Sequence, residues 1–597
     1  MNGMGCEQEE ELMEAIFAFV STLIQFIWEH AIVLNMLLAI TIVFFERRDP
    51  KTIWAWLLVL YFIPVLGFFL YLLIGRDMRK VKLFKNKELE DALQSAVIKQ
   101  EQKAKSKQIF QDDGKLSRYH DLVMYNLAAA KAVYTEDNEV EIYTDGKEYF
   151  SHLYEAIENA REFIHIQSYI IKDDEVWRNL EDLLYRKAAE GVEVRVLYDS
   201  MGCRKMGKRE WDRIREKGIQ VGEFFPAFFK RLHLRINYRN HRKIIIIDGT
   251  KAYVGGFNIG REYLGLDKKF GYWRDTHLGI RGSAAISLHV RFILDWNYAT
   301  KQNLFQNANI VKEYAAGNGK DGVQIISSGP DTQNEEIRDN YQKLIGKARD
   351  HVYIQTPYLV PDEIILNEIK MAAYSGIDVK IMIPCKPDHP LVYWATYSYV
   401  GELIDAGVRC YTYDNGFLHA KGVMSDGLVC SYGTANMDVR SYRLNFEVNA
   451  TIYSPKTTAK LEAIFEKDLE SFINEGIVKL CVIGTPKAQR KWIQLLNEKY
   501  PNYFAFYPVN PYALEITHKS VSKKNGVEYV AKLNGYSLDN VMAFGDSGND
   551  EPLLLNCGIG VTMKNGTKKA LLKARYITQY TNHEDGVVKT IEEFKKK

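Results

Sequence analysis

Residues 240–258 read NHRKIIIIDGTKAYVGGFN, and residues 418–436 read LHAKGVMSDGLVCSYGTAN. Both run His-x-Lys, four residues, Asp, then a glycine-containing turn that ends in Asn. The first copy supplies His241, Lys243, Asp248 and Asn258; the second supplies His419, Lys421, Asp426 and Asn436. Alternate side chains of a strand point to one face, so each His projects beside its Lys, and Ile244–Ile247 reads as a strand buried on both sides. Imidazole suits nucleophilic or acid/base work near neutral pH, and an ammonium is a compact charge for phosphate oxygens. The two Asn residues follow Gly255-Gly256 and Gly433, where backbone comes close, and would add amide donors. One His-x-Lys is ordinary surface or core chemistry, but two full copies at the same offset predict half-sites that meet as one active site.

Working outward, the sequence repeats on a larger scale. NAREFIHIQSYII…AAEGVEVRVLYD, from Asn159, parallels GKARDHVYIQTPYLV…AAYSGIDVKIMIP, from Gly346. Each reads helix, buried strand, amphipathic helix, buried strand. Strands alternating with helices predict an α/β layer structure with largely parallel pairing, one motif per half, and a site at the pseudo-twofold interface.

These residues resemble the phospholipase D superfamily signature. The flanks FIHIQSYII, GYWRDTHLGI, YIQTPYLVPDE and MDVRSYRLNFEVNA are similar to those of bacterial cardiolipin synthases, over about residues 30–472. The resemblance implies that one His attacks the phosphorus of phosphatidylglycerol, giving a phosphatidyl-histidine. The other protonates the departing glycerol and then takes a proton from the hydroxyl of a second phosphatidylglycerol, so that cardiolipin and glycerol result. Lys243, Lys421, Asn258 and Asn436 would hold the phosphoryl oxygens. No cofactor is implied, since the lysines supply the charge a divalent ion otherwise would. The resemblance leans towards His241 as nucleophile, while the near symmetry of the motifs leaves the choice open. It also points to Asp275 and Glu447 as the carboxylates that orient the imidazoles. Asp248 and Asp426 belong to the motif, but each sits next to Gly at a strand end, where it can brace the loop. A phospholipase D or a transferase using another alcohol stays open, as does, more remotely, a nuclease of this superfamily.

Composition and the amino end bear on the substrate. A net charge of +2 over 597 residues argues against a nucleic-acid binder. Seven cysteines lack C-x-x-C spacing, giving neither a zinc site nor a disulfide framework. Residues 1–75 read as a membrane region with two transmembrane helices, about 27–45 and 53–74, the second kinked at Pro64 or Gly67. Residues 76–130 read as a basic juxtamembrane linker drawn to anionic lipid. This predicts a multi-pass protein of the cell membrane whose catalytic domains are cytoplasmic, with phosphatidylglycerol as partner; a homo-oligomer stays open. In FFPAFFKRLHLRINYRN, from Phe224, the side chains of Phe224, Phe225, Phe228 and Phe229 could enter headgroups while Lys230 and Arg231 meet phosphate.

The expected divisions are then 131–305 and 306–475 for the two phospholipase D-like domains, and 476–597 for something else. That last stretch resembles the carboxyl half of a haloacid-dehalogenase-type (Cof-like) phosphatase. Lys523 matches that family's lysine, and Asp546 and Asp550 in GDSGND match the acids that hold Mg²⁺. The Asp-x-Asp nucleophile motif is missing before it, as are the first core strands. The segment therefore reads as an inactive fused remnant, with Mg²⁺ binding doubtful.

Overall fold

The computed structural model describes residues 33–45, 50–74, 114–226, 237–306, 317–474 and 480–596, apart from positions 333, 387, 389 and 511, together with a few isolated positions before residue 33 and between 98 and 102. In the amino half the strands are β1 (Tyr134–Tyr143), β2 (Phe163–Ser168), β3 (Glu193–Asp199), β4 (Gln220–Phe224), β5 (Arg239–Asn240), β6 (Ile244–Ile247), β7 (Lys251–Gly255), β8 (Trp273–Arg274) and β9 (His277–Arg281). The second half repeats them as β10 (Asp321–Ser328), β11 (His351–Gln355), β12 (Leu359–Val360), β13 (Asp378–Pro384), β14 (Arg409–Tyr413), β15 (Phe417–Leu418), β16 (Gly422–Ser425), β17 (Val429–Gly433), β18 (Met437–Asp438) and β19 (Asn445–Tyr453).

The repeat shows in the order of the main sheet. It runs β14-β13-β11-β16-β17-β19-β10, then β1-β9-β7-β6-β2-β3-β4. Read from either edge, each strand meets its counterpart in the other half, so β1 and β10 form the seam between two like sheets. Along this order the pairs β2–β3–β4 and β11–β13–β14 at the two edges are parallel and the inner pairs are antiparallel. The expectation of largely parallel pairing is corrected here. The reason lies in the motifs: Asp248-Gly249 and Asp426-Gly427 both take positive φ (49° and 65°, 54° and 64°), which turns β6 into β7 and β16 into β17 as hairpins.

Packing follows the strand alternation. Ile244 and Ile246 face a core shared by both halves, with Phe292, Trp296, Phe446 and Val448, while Ile245 and Ile247 face the helices of the amino half. At about 1.5–3 kcal/mol per buried large aliphatic side chain, a register slip of β6 is strongly disfavoured. Helices Gly146–Glu158 and Glu175–Ala189 begin at Asp145 and Asp174, whose carboxylates accept the first free N–H groups. Phe224 and Phe225 lie in the shared core, which corrects their placement at a lipid surface; Phe228, Phe229, Lys230 and Arg231 lie outside the described residues.

Two sequence boundaries also shift. Helix His120–Ala130, expected within a linker, packs Leu122 and Val123 fully into the core of the second half. The expected span 53–74 is helical as Pro50–Phe62 and Pro64–Ile74, bent at Ile63. Pro64 has no N–H for the carbonyl of Leu60, and Asn35 Nδ2 donates to that carbonyl at 3.0 Å and to Pro64 O at 3.0 Å. Among the described residues no helix is long and apolar enough to cross a membrane. Beyond Asn474 lie an antiparallel sheet (Leu480–Ile483, Phe504–Asn510, Ala513–His518) and a parallel one (Met542–Phe544, Ile559–Thr562, Tyr576–Ile577).

Candidate active site

Each motif histidine is delivered by a short strand inserted into the opposite half. β5 pairs in parallel with the start of β19, and the His241 N–H donates to Phe446 O at 3.0 Å. β15 pairs in the same way with β8, and the His419 N–H donates to Arg274 O at 2.7 Å. The carboxylates are therefore crossed between halves. His241 Nδ1 lies 3.0 Å from both oxygens of Glu447, and His419 Nδ1 lies 2.6 Å from Asp275 Oδ2. A carboxylate on Nδ1 fixes that nitrogen as the protonated one and leaves Nε2 as the reactive atom. Neither Nε2 has a hydrogen-bond partner among the described residues.

The carboxylates are themselves held. Thr434 Oγ1 donates to Glu447 at 2.6 Å and Asn445 Nδ2 at 3.1 Å. The Thr276 N–H donates to Asp275 at 2.8 Å and Trp273 Nε1 at 3.3 Å. Aromatic rings fix the imidazole planes: Tyr169 edge-on to His241 at 4.9 Å, Trp273 against His419 at 5.0 Å.

Lys243 and Lys421 are buried at the same place, and each reaches back to the carbonyl of its own histidine. Burial pulls Lys243 down to about 7 and Lys421 to about 8, with the neighbouring ammonium adding to the effect on Lys243. Burial and then Lys421 pull His419 down to about 4; burial also lowers His241, against the pull of Glu447. Burial works against ionisation of Asp275, yet Lys421 and His419 hold it at about 2. Burial thus favours the neutral form of both imidazoles and loosens the hold of both lysines on their protons.

The other predicted residues take structural positions. Asp248 accepts the N–H groups of Arg161, Glu162 and Phe163, and Asp426 those of Arg349, Asp350 and His351. Both sit at the far end of the strand from the histidine, bracing the turn. Asn258 bridges Ile170 N and the Tyr263 hydroxyl, and Asn436 Nδ2 lies 3.3 Å from Asp438. Sequence reasoning missed Arg242, which is 1% exposed; its guanidinium binds both oxygens of Asp295 at 2.8 Å and the carbonyls of Glu447 and Ser328. The signal was an arginine in an apolar strand, which must find an anion to be buried.

Comparisons with known proteins give the family. The family model described as cardiolipin synthase, PLD-like domain, matches residues 153–270 and 341–469. Cardiolipin synthase of Oceanobacillus iheyensis is 49% identical over 73% of this chain and 91% of its own length. Major cardiolipin synthase ClsA of Bacillus subtilis is 48% identical over the same shares, and cardiolipin synthase of Staphylococcus aureus strain Mu50 is 46% identical over 77% of this chain and 93% of its own. The chain belongs to the cardiolipin synthase family. Residues 33–76 further match a phospholipase D-nuclease N-terminal model, and 428–591 a haloacid dehalogenase-like hydrolase model. The latter overlaps β17 and β19, which are built into the cardiolipin synthase sheet, so the separate fold begins at Leu480.

In that appended segment the residues present do not fit a magnesium site. Asp550 places one oxygen 2.5 Å from Lys523 Nζ and gives the other to the N–H groups of Asp546 and Ser547. Asp546 accepts from Asn582 at 3.3 Å. Among the described residues no cluster of three His, Cys, Asp or Glu side chains stands there to bind a metal.

Proposed function

We propose that the protein makes cardiolipin by moving a phosphatidyl group from one phosphatidylglycerol to another. The observation that carries this reading is the pair of imidazoles, each with a carboxylate on Nδ1 and a lysine alongside, in a chain of this family. One Nε2 attacks phosphorus; the bond from phosphorus to the headgroup glycerol breaks as the other imidazolium protonates the leaving oxygen. That imidazole then takes the proton of the second lipid's hydroxyl, whose oxygen bonds to phosphorus as the phosphorus–nitrogen bond breaks. Lys243 and Lys421 neutralise the non-bridging oxygens throughout.

The apolar surface of residues 33–45 and 50–74 supports a location at the bilayer. Val33, Met36, Leu37, Phe44, Trp54 and Phe62 expose large apolar side chains there, which an apolar solvent would cover. The reading is of a helical hairpin in the membrane with the catalytic domains on the cytoplasmic side. Cysteine labelling of residues introduced at 48, in the hairpin loop, and at 110, after the second helix, tests it: the first should react only from outside the cell and the second only from the cytoplasm.

The reaction is tested by lipid mass spectrometry on membranes supplied with phosphatidylglycerol alone, beside His241→Ala and His419→Ala. Cardiolipin and glycerol should appear only with the intact protein. Phosphatidic acid without cardiolipin would make water the acceptor and overturn the transfer reading.

A further inference from the structure

The proposed transfer brings two phosphodiesters together, but only one reacts. The second belongs to the accepting lipid and stays one glycerol unit from the hydroxyl that attacks. Lys243 and Lys421 are committed to the reacting group. A second anion entering a largely buried cleft is costly unless cations meet it.

A cavity of about 400 Å³ opens beside the histidines, and its polar lining includes Tyr169, Lys172, Arg204, Lys205, Arg239 and Arg440. No Asp or Glu lines it. Its wall is shared with the active site: the Tyr169 ring packs on His241 at 4.9 Å and lies 5.4 Å from Lys243 Nζ. Arg239 precedes His241 by two residues, on the same side of the chain, and is 8% exposed. Lys172 is paired with Glu262 at 2.5 Å, and Arg440 donates to the carbonyl of Asn237 at 3.3 Å. Arg204 and Lys205 are exposed and have no ion pair among the described residues.

The pseudo-twofold supplies an internal control. Pro357 and Tyr358 follow β11 in the second half where Tyr169 and Ile170 follow β2, and the pocket there is lined by Lys386 and Asp388, with the Tyr358 hydroxyl bonded to Asp388. Among the described residues this is one cation against one carboxylate, which does not select an anion. The basic character of the first cavity is therefore a property of its own loops rather than of the repeated fold.

We infer that the cavity lined by Arg204, Lys205, Arg239 and Arg440 binds the phosphodiester of the accepting phosphatidylglycerol. This rests on the transfer reaction proposed above. The site selects an anionic lipid alcohol over a neutral one, through charge-assisted hydrogen bonds that glycerol itself cannot offer.

The test uses the full-length protein in phosphatidylglycerol vesicles and two readouts from one donor lipid. Incorporation of isotope-labelled glycerol into phosphatidylglycerol reports phosphatidyl transfer to an acceptor without phosphate; cardiolipin reports transfer to an acceptor with one. Arg204→Glu/Lys205→Glu and, separately, Arg440→Gln should lower cardiolipin formation by about tenfold or more while glycerol exchange stays near wild type. Equal loss of both readouts would assign the cavity to the donor or to vesicle attachment and overturn the inference, as would no loss in either. A wild-type protein that exchanges glycerol yet forms no cardiolipin would instead overturn the transfer reading, a result visible without any variant.

Discussion

At the scale of the residue, the chemistry rests on which nitrogen of each imidazole carries the proton. Asp275 and Glu447 decide this, because each holds an Nδ1 at 2.6–3.0 Å. Asp275→Asn keeps the shape but can present its amide to Nδ1 and favour the wrong tautomer. Cardiolipin turnover should fall about 10³–10⁴-fold with little change in melting temperature, and Glu447→Gln should behave alike. A fall of only a fewfold in both would remove the orienting role. The lysines give a pH dependence of definite sign. An anion binds their protonated forms, and burial leaves them at about 7 and about 8 in the empty site. Affinity for a non-reacting phosphodiester should therefore be full below pH 7 and decline as pH rises through 7–8. Calorimetric titration at pH 6 and pH 9 would show it; tighter binding at pH 9 would contradict it.

At the scale of the element, the histidine strand is fixed from behind by Arg242. It stands between His241 and Lys243 but points the other way, onto Asp295 and the carbonyls of Glu447 and Ser328. Arg242→Met leaves Asp295 buried beside Arg291, its one remaining ion-pair partner among the described residues, and should cost about 3–5 kcal/mol in denaturant unfolding. Arg242→Met combined with Asp295→Leu should recover much of that loss; no recovery would mean the pair is not the cause. The strand itself was legible from Ile244–Ile247, and its end from Asp-Gly. The crossing of the carboxylates was not. WRDTH and NFEVN mark Asp275 and Glu447 as acids near the site, yet which histidine each serves depends on β5 and β15, two residues long, entering the opposite half. Strands that short leave no periodicity to read. Helix His120–Ala130 was missed because the charged stretch before it reads as linker, while its own apolar face is only three turns long.

At the scale of the molecule, one fifteen-stranded sheet carries both half-sites, and the appended segment meets it along helix Pro390–Asp405, where Thr485 donates to Asp405 at 2.9 Å. Asp546→Asn and Asp550→Asn should leave cardiolipin synthesis unchanged, and the wild-type protein should show no Mg²⁺-dependent release of phosphate from sugar phosphates. Such release, lost in the Asp variants, would make the segment a second enzyme. The main body was readable as two repeats because the same motif recurs on a buried strand in each half. Its antiparallel interior was not, because βα alternation suggested parallel pairing before the hairpins were counted. The crossed carboxylates also order events in time. His241 emerges from the ribosome 206 residues before Glu447. Until the last strand of the sheet is made and inserted, the first imidazole has neither its carboxylate nor the strand that β5 rests on, whereas His419 finds β8 and Asp275 already made. A chain still being translated is thus chemically silent, and phosphatidyl transfer begins only when synthesis of the body is complete.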